Sequence, residues 1–193
     1  MVNLKNRIAN KKAGFKSAVL LLLIVVLSSF TLHQDSESKV GLGEIPEFNS
    51  IFVSGVAKVF FTQEEAKEIT MKLSGDPFPQ VIRKVTNGRL EIYTEGEARN
   101  EVVELYVSNP NLASIVVADR AEFYVTKSIT EEKLEITVSD FGAATLEVDV
   151  KKVSIYMNGG DLQISGKTND QQIRKSGDSD RGTLDNEELK VIN

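Results

Sequence analysis

The chain has 193 residues, 41% of them hydrophobic, enough for one packed domain behind a targeting segment. It contains no Cys, which excludes disulfides, thiolate metal sites, cysteine nucleophiles and a lipidated N-terminal Cys. Charge is uneven: Lys5, Arg7, Lys11, Lys12 and Lys16 give residues 1–16 a net +5, and the rest carries −10, which argues against nucleic acid as the partner.

Ser17 to Leu32 is a mostly apolar run, with five positive charges before it and the polar stretch Gln34-Asp-Ser-Glu-Ser38 after it. A basic region, an apolar region and a polar region in that order form an export signal. The positive-inside rule then leaves residues 1–16 in the cytoplasm and carries the remainder out. Two readings stay open: cleavage near Ser29 or Thr31, or an uncleaved anchor in the inner membrane formed by residues 17–32. Residues 33–45 are polar and Gly-containing and read as a flexible linker.

From Phe48 the pattern is almost wholly β. Glu68-Ile-Thr-Met-Lys-Leu73 alternates strictly, as a half-buried strand does. Ser74-Gly-Asp-Pro-Phe-Pro79 is a turn cluster. Asn87-Gly88 between Val81–Val85 and Leu90–Tyr93 predicts a hairpin, since both residues tolerate positive φ. Val102–Val107 reads as a further strand that ends at Asn109-Pro110. Thr62–Glu68 fits either one helical turn or a loop between strands.

One phrase then recurs. Ile51-Phe-Val-Ser-Gly-Val-Ala57 returns at Ile115, Ile136, Ile155 and Ile173, and the last four copies follow one another at nearly even intervals. A repeat of about 20 residues built from strands and tight corners predicts stacked β-rungs. The expected fold is all-β: a right-handed, single-stranded β-helix-like solenoid over residues 46–175, preceded by an N-terminal apolar targeting helix (1–32). Residues 176–193 form a polar C-terminal tail or last partial rung. Ile115, Val117, Ile136, Val138, Ile155 and Met157 are the expected inward ladder.

Phe48-x-x-Ile51-x-Val-Ser-Gly55 followed by Val59-Phe-Phe-Thr is similar to the opening of the putative auto-transporter adhesin, head GIN domain family. Gly88-x-Leu-x-Ile92 and Leu105-Tyr-Val-Ser-Asn-Pro-Asn-Leu-Ala-Ser-Ile115 continue that family's order of strand, proline and first rung. The resemblance spans roughly Pro46 to Lys175. It implies a β-helix-like domain on exported proteins, with no established biochemical activity. Two rungs depart from the family's Ser-Gly corner by carrying Asp119 and Asp140, and the C-terminal rungs are few and degraded.

Few residues suggest chemistry. Asp119, Asp140 and Asp161 are equally spaced and would stack as an acidic column able to take Ca²⁺, or they sit in turns because Asp bonds nearby backbone amides. Gly159-Gly-Asp161-Leu162 superficially resembles a Ca²⁺-binding nonapeptide repeat and fits a plain corner better. Arg120 beside Asp119 is the nearest thing to an acid–base pair, but one adjacent pair does not converge on a substrate. His33, the lone His, lies in the linker, so Ser54, Ser139 and Ser165 have no histidine partner in the folded part. Phe123, Tyr124, Tyr156 and Tyr106 read either as an exposed strip for stacking glycans or as one core ring with tyrosines at the rim. No catalytic, cofactor or metal residue is assigned. The expectation is a non-enzymatic binding or scaffolding module of the cell envelope, periplasmic or at the cell surface, whose partner is an envelope protein or a glycan. A spacer without specific ligand and a glycan-active β-helix enzyme are the alternatives.

Overall fold

Pairing between distant strands organises this chain. The computed structural model describes residues 38–73, 80–95, 103–176, 182–186 and 188–191. The apolar segment read as a targeting helix and the Ser74–Pro79 turn cluster lie outside the described residues. Among the described residues every element is a strand, and no helix is long and apolar enough to cross a membrane. Residues 37–193 form one compact unit.

The first strand corrects an expectation. β1 (Ser38–Glu44) falls within the segment 33–45 read as flexible linker, yet it pairs antiparallel with residues 68–73, Ser38 opposite Leu73 and Val40 opposite Met71. Val40 and Leu42 alternate, but the Ser, Lys and Gly residues around them read as linker. Backbone hydrogen bonds to a neighbouring strand hold it, and these carry no sequence signature.

β2 (Ser50–Ser54) and β3 (Ala57–Gln63) alternate in burial, pointing Ile51, Val53, Ala57, Val59 and Phe61 into the core. β4 (Glu68–Leu73) follows a loop over residues 64–67, which settles the Thr62–Glu68 alternatives in favour of the loop. β5 (Gln80–Thr86) and β6 (Arg89–Glu95) form the expected hairpin, with Asn87 at φ 51° and Gly88 at φ 73°. β7 (Val103–Asn109) ends at Pro110, and β8 (Ser114–Val117) and β9 (Glu122–Val125) follow.

The repeated phrase is in register. Ile115 of β8 lies opposite Ile51 of β2, with Val117 opposite Val53. In β10 (Ile129–Lys175), Ile136 and Val138 continue the two columns on the far side of β8. A second set of parallel pairs runs beside the first: Val59 opposite Phe123, and Phe123 opposite Ala144. The strands between the first two copies complete these columns at their other end. β6 pairs parallel with β2, and β7 pairs parallel with β3. β4 then covers β7 in the antiparallel sense, and β1 covers β4. The result is one 12-stranded, strongly curled sheet enclosing a single core cluster.

β10 has 47 residues and would measure about 155 Å if straight. It cannot be straight, because Ser176 donates its N–H to the Met157 carbonyl at 2.8 Å. The strand therefore winds back on itself, and inward Val148, Val150, Ile155, Met157, Leu162 and Ile164 are all buried. β11 (Thr183–Asp185) and β12 (Leu189–Val191) pair parallel with residues 161–163 and 166–168. Both strands lie in the segment 176–193, which reads from sequence as a polar tail or a last partial rung.

Candidate functional site

Alternation puts every second side chain of β4, β7, β3 and β9 on the outer surface, where parallel register lines them up in rows. One row reads Thr70, Tyr106, Phe60, Tyr124 and Thr145. Its rings stack on one another: Phe60 lies 5.0 Å from Tyr106 and 5.4 Å from Tyr124, at interplanar angles of 15° and 20°. The adjacent row, Lys72, Glu104, Lys58 and Glu122, alternates in sign. Lys58 pairs with Glu122 at 3.1 Å and sits 5.7 Å from the Tyr124 ring centre, while Lys72 sits 5.5 Å from that of Tyr106.

This surface decides between the two readings of the aromatic residues. Phe123 is fully buried against Phe61, as the core reading required. Tyr106 and Tyr124 are half-buried on the outer face, and Phe60 joins them. Phe60 was missed because an aromatic inside Val59-Phe-Phe-Thr reads equally as core. Its position one residue from buried Phe61 was the available signal. The ring faces are turned towards each other and towards lysines, so this ladder stiffens the face and leaves little flat surface for a sugar.

Hydrogen bonds tie the two rows. Tyr106 donates its hydroxyl to Glu104 at 2.9 Å and Tyr124 to Glu122 at 2.6 Å. The bond to Glu122, burial and the carboxylate's charge push the Tyr124 hydroxyl up to about 12. Burial and the Glu104 contact likewise raise Tyr106. Burial alone would raise Glu122, but hydrogen bonds from Tyr124 and Lys58 and the Lys58 charge outweigh it and leave the carboxyl lowered. The stabilisation from Glu122 is thus present above pH 4.5 and lost as pH falls, whereas that from Tyr124 is present below pH 10.0 and lost as pH rises through about 12. The stability gap between wild type and Tyr124→Phe, about 1 kcal/mol, is expected to be flat between these limits and to shrink on both sides. Urea unfolding at a series of pH values checks this; a gap that widens above pH 10.0 contradicts it.

The three aspartates do not form a column. Asp119 and Asp140 occupy equivalent corners, both at φ 58°, in line with Gly55 at φ 86° and Gly159 at φ 100°. Asp161 lies two positions beyond that line. Asp119 accepts a hydrogen bond from the Gly55 N–H at 3.3 Å, and Asp161 accepts one from the Thr183 N–H at 3.1 Å. Each carboxylate therefore pins a neighbouring corner of the chain. Among the described residues no group of three metal-ligating side chains is placed to hold a cation. Asp119 and Arg120 are both exposed at the corner. Asp119→Gly is expected to change stability by less than about 0.5 kcal/mol, and Asp119→Ala to cost about 1–2 kcal/mol. Thermal unfolding with and without CaCl₂ is the check, and a Ca²⁺-dependent rise in midpoint that Asp119→Gly abolishes would restore the metal reading.

A second outer surface lies where β10 winds over itself. A shallow groove of about 590 Å³ is lined by Lys133, Glu135, Lys152, Ser154, Tyr156 and Arg174, among others. Lys133 pairs with Glu135 and Lys152 with Asp170 at 3.0 Å, while Arg174 enters no ion pair among the described residues. Lys133 and Arg174 stand near opposite ends of β10 in sequence, and only the winding of the strand brings this set together.

The profile of a protein family described as "Putative auto-transporter adhesin, head GIN domain" matches residues 47–192. The chain belongs to this family. The match extends the resemblance read from Pro46 to Lys175 through β11 and β12. Likeness of fold appears in solved structures as well. A putative adhesin from Parabacteroides merdae is 16% identical over 81% of this chain and 74% of its own, with a TM-score of 0.59. A putative lipid binding protein from Parabacteroides distasonis is 12% identical over 82% of this chain and 76% of its own, with a TM-score of 0.56. At such identities the likeness is one of fold. No curated protein matches in sequence.

Proposed function

We propose that this head GIN domain is a non-enzymatic binding or scaffolding module of the cell envelope, exported by residues 1–32 and folded from about residue 38, where β1 begins. The paired rows on its outer face carry this reading. Side chains from five neighbouring strands are held in register at about 4.8 Å spacing, an arrangement that presents a rigid surface to a partner. Adhesin descriptions of the family and of the Parabacteroides merdae structure point the same way. The fold reading that goes with it is a β-solenoid. The parallel columns Ile51, Ile115 and Ile136, and the return of β10 on itself between Met157 and Ser176, support successive coils stacked along one axis.

The partner is an envelope protein or a glycan. A spacer that holds another assembly at a distance needs the same rigidity but no specific contact. Crosslinking of the tagged chain in its native cells, followed by mass spectrometry, separates the two. One recurrent envelope partner, crosslinked through lysines of the outer rows such as Lys58 and Lys72, is the expected result. Crosslinks scattered over unrelated proteins would favour the spacer. The same experiment reports the mature N-terminus and hence whether residues 1–32 are removed.

A further inference from the structure

We propose that the groove over β10 binds a carboxylate-bearing polysaccharide, an inference that rests on the binding-module reading above and names a ligand class for it. Outside residues 1–16 the protein carries a net −10, so its surface as a whole repels polyanions. The groove is the exception: Lys133, Lys152 and Arg174 line it, and against them stand Glu135, paired with Lys133, and Asp170, paired with Lys152, which leaves the charge of Arg174 uncompensated among the described residues. The guanidinium of Arg174 is exposed and engages no carboxylate among the described residues, which leaves its planar donor pair for a bidentate contact with a ligand acid group.

The floor has the chemistry sugars need. Tyr156 is 42% exposed, and among the described residues no aromatic ring stacks on it, in contrast to the mutually stacked Tyr106–Phe60–Tyr124 ladder. Its ring is thus open to the C–H face of a pyranose. Thr137, Ser154 and Gln172 surround it with hydroxyl and amide groups matched to sugar hydroxyls. Three successive stretches of chain build the groove, and their rows repeat about every 4.8 Å along the stack. That spacing is close to the rise of successive units in an extended polysaccharide, so cations on neighbouring rows meet acid groups on neighbouring units. The ion pairs Lys133–Glu135 and Lys152–Asp170 are exposed and weak, as surface pairs screened by water are. A polymer carboxylate displaces Glu135 or Asp170 from them at little cost.

The test is affinity electrophoresis of the full-length chain in mild detergent, through gels containing polygalacturonate, alginate or hyaluronan, with dextran as the neutral control. At least one acidic polymer is expected to retard the wild type at physiological salt, and dextran is not. Tyr156→Ala and Arg174→Gln, both at exposed positions, are each expected to weaken retardation at least tenfold. Gly41→Ala in β1, which does not line the groove and where an added Cβ meets nothing within 4 Å, leaves it unchanged. Retardation by none of the acidic polymers, equal retardation by dextran, or retardation that both groove variants retain would overturn the proposal. Retardation abolished by salt but indifferent to Tyr156→Ala would reduce it to general polyelectrolyte attraction and overturn it too. Crosslinking the wild-type chain in cells tells this failure from that of the broader reading. A recurrent envelope protein captured by a wild type that no acidic polymer retards removes the groove proposal and leaves the binding module; no recurrent partner and no retardation remove both.

Discussion

Gly166→Ala is expected to destabilise the domain by about 3 kcal/mol or more. Gly166 has φ +114°, a region closed to side-chain-bearing residues, and an added Cβ would sit 1.9 Å from the Val148 carbonyl oxygen. That atom is backbone on the neighbouring stretch of β10, so no rotamer change relieves the contact. Either the corner opens or the segment carrying Val148 and Val150 moves away, and the pairing of Gly166 with Leu189 in β12 goes with it. Gly41→Ala is the matched control. A Cβ there meets nothing within 4 Å, and the change is expected to stay within about 0.5 kcal/mol. Urea unfolding of the two variants against wild type gives the comparison; equal midpoints would mean that the two stretches of β10 are not in the close contact described.

Phe123→Ala carries the second large effect. Phe123 is completely buried, stacks on Phe61 with 6.1 Å between ring centres, and joins β9 to both β3 and β10. Truncation removes its contacts and leaves a cavity that paired strands on either side cannot close, for an expected loss of about 3–5 kcal/mol. Tyr124→Ala, one residue away on the outer face, is expected to cost about 1–2 kcal/mol. The pair, compared by the same urea unfolding, measures the two sides of one strand. Similar losses at both positions would mean that the outer ladder shares the load of the core.

The parts of this fold legible in sequence were those carried by side-chain alternation. Ile51, Ile115 and Ile136 stand in one column because each begins the same apolar phrase, and Asn87-Gly88 turns where its dihedral tolerance said it would. What stayed hidden was carried by backbone or by distance. β1 looks like linker because its place depends on hydrogen bonds to β4. β6 and β7 precede the later repeats in sequence yet flank the first copy in space, and no local pattern records that. The shift of Asp161 off the corner line, by contrast, was legible, since it stands two positions later in its copy of the phrase, where Gly159 and Gly160 take the positive φ. Of the two outer surfaces, the aromatic row was half visible through Tyr106 and Tyr124. The groove was invisible, since Lys133, Tyr156 and Arg174 become neighbours only when β10 winds over itself.

The position of β2 and β3 within the sheet bears on the order of events in folding. β2 finds its partners in β6 and β8, and β3 finds its partners in β7 and β9. Each must wait for segments far downstream before either of its edges is covered. Loop closure over such distances is paid before the contacts repay it, which makes folding slow compared with that of a domain built from local hairpins. Until Val125 has emerged, the most apolar strands of the chain present bare edges to any neighbour. Fragments that end before β8 are expected to aggregate where the full chain folds, and a holding chaperone has its natural window over the segment from Ser50 to Val125.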